Sequence, residues 1–142
     1  MDLSERLAGV SSGYSWVLEV SPVPHAVPLT TISVLNLDGE LLSRDGFHSD
    51  FLPAARNLAT FWGASTGAPQ RVIVRASADV RSAAVRIGEA TKSLDLREMK
   101  TLPGIRVGVL ILSSPEKPRA VTYHLRGVSR SLEEPLRTWD WL

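Results

Sequence analysis

The 142-residue chain contains no cysteine. Disulfide bonds, thiolate nucleophiles and cysteine-ligated zinc or iron–sulfur centres are thereby excluded. An excess of either charge is also lacking, since 16 basic and 15 acidic side chains leave a net charge of +1. General polyanion binders usually carry a strongly basic domain, so that class is disfavoured, and only a local basic face stays open. The longest apolar run, Val107-Gly-Val-Leu-Ile-Leu112, falls far short of a bilayer span. Residues Met1-Asp-Leu-Ser-Glu-Arg6 have none of the apolar core of a secretory leader. A soluble, intracellular, cytoplasmic protein without a membrane partner is expected. Glycine patterns that cradle phosphate and the Gly-x-Ser-x-Gly elbow are missing too. No cofactor is implied.

What is present reads as an ordinary globular domain. Hydrophobic residues make up 44% and charged residues 22%, which disfavours disorder. The length predicts a single domain over residues 1–142 with a core that needs no covalent staples. Residues 2–10 fit a short helix with Leu3, Leu7 and Val10 on one face. Ser15 to Val20 alternates as a strand, and Ser21-Pro-Val-Pro-His-Ala-Val-Pro-Leu29 reads as a semi-rigid extended loop. Thr30 to Leu37 and Glu40 to Ser43 flank Asp38-Gly39, a strong hairpin signal. Phe51, Ala54, Ala55, Leu58, Phe61 and Trp62 recur at helical spacing after a cap at Ser49 or Asp50.

The most legible stretch is Arg71-Val-Ile-Val-Arg-Ala-Ser-Ala-Asp79 followed by Val80 to Ala90. It predicts a strand, a tight turn and an amphipathic helix burying Val80, Ala83, Ala84, Ile87 and Leu94. Ile105 to Leu112 predicts a strand covered on both faces. Ala120 to Arg126 alternates as a hairpin partner, and Ser131-Leu-Glu-Glu134 fits a capping box that opens a last helix. The order β-β-β-α-β-α-β-β-α gives an α/β domain with a mixed five- or six-stranded sheet. Over roughly residues 14–112 that order resembles the ribonuclease-H-like fold, with the strand at 120–126 departing from it.

The resemblance implies carboxylates converging on two divalent ions that clamp attacking and leaving phosphate oxygens. Glu19 matches the first-strand position and Asp79 is the nearest acid after the fourth strand. Glu133, Glu134 or Asp140 would supply the last, while residues 54–58 hold no acid where one is needed. On their own terms, Glu19 suits a wet strand face and Asp79 a helix cap. No metal is therefore expected, with Glu19 and Asp79 as the alternative pair. Asp38, Asp45 and Asp50 are explained by turns and caps. His25, His48 and His124 are scattered, and His25 draws notice because its loop is a natural recognition segment.

Arg71, Arg75, Arg81 and Arg86 concentrate basic charge without interleaved aromatics, so a solvated or phosphate-contacting face competes with a protein-binding one. Trp139 and Trp141 close the chain, where large aromatics either dock on the core or await a partner. The expected function is a non-catalytic binding or assembly module that works through a protein partner or self-association. The candidate surfaces are residues 139–142, residues 21–29 and the basic face. A nucleic-acid binder or a divergent metal-dependent nuclease is the alternative.

Overall fold

β-Branched residues and period-2 alternation dominate the chain, and two-residue turns chop it into short pieces. Strands result. The computed structural model describes residues 5–21, 29–48, 58–62, 69–100, 102–113, 116–127, 131–135 and 137–138. Thirteen strands and no helix occur among them. In chain order the first seven are β1 (Glu5–Ser11), β2 (Tyr14–Ser21), β3 (Leu29–Leu35), β4 (Leu41–His48), β5 (Leu58–Trp62), β6 (Gln70–Ser77) and β7 (Val80–Ile87). The rest are β8 (Ala90–Leu94), β9 (Arg97–Met99), β10 (Leu102–Leu112), β11 (Pro118–Leu125), β12 (Ser131–Pro135) and β13 (Arg137–Thr138).

These strands form three sheets. A front sheet runs β1-β2-β3-β4, a middle sheet β13-β5-β6-β10-β9, and a back sheet β12-β11-β7-β8. All pairings are antiparallel except β13 with β5. The middle sheet is covered on both faces because its strands are apolar at odd and even positions alike. Val72, Val74, Ala76, Leu110 and Leu112 pack toward Val80, Val85, Val121 and Tyr123 of the back sheet. Ile73, Val107, Val109 and Ile111 pack toward Trp16, Leu18, Ile32 and Val34 of the front sheet. Burial of this kind stabilises by roughly 25 cal/mol per Å² of apolar surface removed from water.

Polar contacts pin the front sheet at both edges. Along β1, the Lys100 backbone N–H donates to Glu5 Oε2 at 2.9 Å, and Arg97 Nη1 donates to the Ala8 carbonyl at 2.8 Å. Ile111 N–H donates to Ser11 Oγ at 3.0 Å, and the same hydroxyl donates to the Ile111 carbonyl at 3.3 Å. One serine thus bonds the edge of β10 where, among the described residues, pairing with β9 reaches no further than Val107. An exposed strand edge is a template for wrong pairing, and these contacts occupy it. At the opposite edge, Asp45 on β4 forms an ion pair with Arg71 on β6.

The structure overturns the α/β reading and, with it, the ribonuclease-H-like resemblance. The span 80–94 is a hairpin, not a helix. Ala78 and Asp79 turn the chain from β6 into β7, so Asp79 caps nothing helical, and its carbonyl accepts the Arg126 N–H at 2.8 Å. Gly88 adopts a φ of 61° and with Glu89 turns β7 into β8, a left-handed conformation that glycine tolerates. Val80, Ala83 and Ile87 fall at helical spacing, but with Val85 they line a bulged strand: pairing slips between His124 and Leu125, which places Val80 inward. Arg106 steadies that bulge by donating to the Arg81 carbonyl at 3.2 Å and the Leu96 carbonyl at 3.0 Å. Residues 5–11 and 131–135 are also strands where helices were expected. In the helix expected from about residue 51, residues 58–62 form β5, and 49–57 lie outside the described residues.

Tyr123 is fully buried and its hydroxyl meets no hydrogen-bond partner among the described residues. Burial raises its pKa above the ordinary phenol range, the charge of Glu134 adds to the rise, and Arg75 opposes it. A raised acid pKa means that the fold holds the proton more tightly than the unfolded chain does. The associated stability is complete below about pH 10 and is lost as pH climbs past it, at about 1.4 kcal/mol per unit. Tyr123→Phe is expected to raise stability by about 1 kcal/mol at about pH 8 by removing an unsatisfied hydroxyl, and to flatten the alkaline loss. Urea unfolding of both proteins at about pH 8 and about pH 11 checks this. A Phe variant weaker at both values would mean that the hydroxyl is bonded.

Candidate functional site

The outer face of the front sheet is where the polar pattern and the shape coincide. Register places its side chains in three cross-strand rows. Val10, Ser15, Leu35 and Leu41 form the first, Ala8, Val17, Ser33 and Arg44 the second, and Arg6, Glu19, Thr31 and Gly46 the third. The face is apolar at one end and charged at the other. An open concavity of about 490 Å³ lies over it, lined by Arg6, Glu19, Ser33, Leu35, Leu41 and Arg44 among others. That volume falls in the range of ligand-binding clefts.

The large hydrophobic side chains that are exposed among the described residues sit at the apolar end. Val10 is 70% exposed, Leu41 is 46%, and Leu37 at the tip of the β3–β4 turn is 67%. Asn36 builds that turn by accepting the Asp38 and Glu40 N–H groups on its Oδ1, at 3.0 and 2.9 Å. Scattered surface aliphatics carry little meaning, and of these three Leu41 is the one that lines the concavity.

The charges differ in how well they are matched. Arg6 donates from Nε and Nη2 to Glu19 Oε2 at 3.3 and 3.0 Å, so this pair is internally satisfied. Arg44 is exposed and donates from Nε to Ser33 Oγ at 3.2 Å, and no carboxylate pairs with it among the described residues. The buried Ser33 hydroxyl holds the Arg44 guanidinium at Nε, and Arg44 lines the concavity.

A second, smaller cleft of about 170 Å³ opens where the three sheets meet, between Gly9, Trp16, Asp95, Arg97 and Val109. Arg97 lies over the Trp16 ring, 5.8 Å from its centroid, a cation–π contact that fastens β9 to the front sheet.

The residues singled out from sequence are dispersed. Arg71 and Arg75 share a strand face, but that face lies between the middle and front sheets, where they are 3% and 4% exposed. Arg81 and Arg86 are exposed on β7 in the back sheet, and Arg86 lies 3.5 Å from Glu133. The four arginines therefore do not meet. Glu19 belongs to the front concavity and Asp79 to the β6–β7 turn. Among the described residues no three His, Asp or Glu side chains group as metal ligands. His25, Trp139 and Trp141 lie outside the described residues, as do Asp50 and Asp140. No described helix is long and apolar enough to cross a membrane.

Sequence reasoning missed Arg44, Ser33, Leu35 and Leu41 as site residues. Arg44-Asp45-Gly46 reads as a turn, yet it is mid-strand, and alternation sends Arg44 outward and Asp45 inward to Arg71. Even spacing of Arg44 and Gly46 was a signal for the outer face, but Leu41 reaches that face through a register slip beside Leu35 that the spacing does not show. No protein-family model, curated protein or solved structure matches this chain.

Proposed function

We propose that the chain is a non-catalytic binding module that engages a protein partner through the outer face of the front sheet. The supporting observation is the coincidence, in one concavity, of Leu35 and the exposed Leu41 at one end with the carboxylate-free Arg44 beside them. Protein interfaces combine an apolar centre with a polar rim in which arginine is enriched, and this face has both parts. Its sheet is held to the middle layer at both edges, so the surface is presented rigidly and little ordering is needed on binding.

The test compares three immobilised forms of the full chain against lysate of its source cells. These are the wild type, a Leu35→Asp/Leu41→Asp variant, and a Thr91→Asp/Ser93→Asp variant on the back sheet. Proteins retained by the wild type and the back-sheet variant should be depleted at least roughly tenfold from the front-face variant, the loss expected when hot-spot contacts are removed. Retention of the same proteins by all three forms would refute the assignment of this face.

A further inference from the structure

On that reading of the front face, we infer that its partner presents an extended segment with an aliphatic residue and, two positions along, an Asp or Glu. The spacing follows from the rows. Leu35 and Ser33 are two residues apart on β3, roughly 7 Å along the strand. In an extended ligand, side chains on one side also recur every second residue, at the same roughly 7 Å. A ligand strand lying along β3 with its aliphatic side chain over Leu35 and Leu41 thus sets its next same-side group over Ser33 and Arg44.

Charge complementarity decides what that group is. The concavity holds two guanidiniums and one carboxylate. Glu19 is already taken by Arg6 through two donors, which leaves Arg44 as the cation with no acid among the described residues. An exposed guanidinium that lines the concavity pairs best with a planar carboxylate. The third row also discriminates. A second acid two residues further on would meet the Glu19 carboxylate, so a polar or basic residue suits that position.

Titration of the isotope-labelled full chain, followed by amide NMR shifts, tests this with three end-blocked pentapeptides. They are Thr-Leu-Thr-Glu-Thr, the same with Lys for Glu, and the same with Ala for Leu. Shifts on residues 33–35 and 41–44 are expected from the first, with affinity roughly tenfold above either control. Arg44→Glu should invert the Glu-over-Lys preference, and Arg44→Gln, which keeps a donor for Ser33, should abolish the preference while leaving the fold intact. Equal binding of the Glu and Lys peptides overturns the acidic motif, as does tighter binding of inorganic phosphate or an oligonucleotide. Self-association lost on Leu41→Asp, with no peptide bound, assigns the face to a second copy and also overturns it. If the peptides fail while the lysate comparison still depends on Leu35 and Leu41, only the motif falls. If neither depends on the face, the binding reading falls with it.

Discussion

Asp45→Ala is expected to destabilise the protein by about 3 kcal/mol, more than Arg71→Met does. The asymmetry comes from where each charge sits. Arg71 is 3% exposed in the middle sheet, while Asp45 is 26% exposed at the edge of the front sheet. Removing Asp45 takes a carboxylate away from a buried guanidinium that also donates to the Pro69 carbonyl, 3.0 Å away, and so raises the cost of keeping that charge out of water. Removing Arg71 leaves an acid that can still reach water, and a methionine fills the vacated channel with apolar volume. Combining the two substitutions should recover much of the loss, because the pair's attraction roughly offsets its own desolvation. Urea unfolding of the four proteins gives the coupling as a double-mutant cycle. A single Asp45→Ala variant within about 1 kcal/mol of wild type would show that the pair is not the anchor it looks like.

The other large effect is expected at Gly108. A Cβ there would lie 2.6 Å from the Asp95 carbonyl oxygen, 2.6 Å from Leu94 Cδ1 and 3.1 Å from Leu96 Cδ2. The chain crosses from β8 in the back sheet to β9 in the middle sheet directly over this glycine, so the obstacle is backbone and cannot rotate aside. Gly108→Ala should cost about 2 kcal/mol and Gly108→Val about 3, by forcing the crossing to lift and opening the contacts of Leu94 and Leu96 with the core. Gly127, where an added Cβ meets nothing within 4 Å, provides the comparison for backbone strain alone. Thermal melts followed by far-UV circular dichroism read the difference, and a Val variant that melts with the wild type would contradict the close crossing.

The strands that carry their own pattern were legible. Alternation marked Trp16, Leu18 and Val20, and the unbroken apolar run marked β10 as doubly covered. The hairpin at Asp38-Gly39 followed from turn chemistry alone. What misled was residues 80–94, where Val80, Ala83, Ala84 and Ile87 satisfy a helical stripe. The competing signals were weaker one by one: β-branched Val80, Val85, Ile87 and Thr91, and Gly88 as a turn rather than a helical residue. Layering was not legible at all. Ile73 and Val74 are equally apolar, and nothing local says that one faces the front sheet and the other the back. Arg71 and Arg75 were read on one strand face, where they are, but their burial depends on a sheet packed above them. The site is legible only once β1 to β4 are in register, because its rows join residues far apart in sequence.

The middle sheet also sets a schedule for the ribosome. Its strand β5 pairs in parallel with β13, from the far end of the described chain, and the back sheet that covers it includes β12. A nascent chain that has released β1 to β10 therefore holds one apolar face of β6 and β10 with no complete cover and one strand of that sheet without its neighbour. The N-terminal meander can form early, but the interior closes only when the last strands emerge. Between those moments the growing protein exposes apolar surface, and translation pauses between the codons of β10 and β12 would lengthen that exposure.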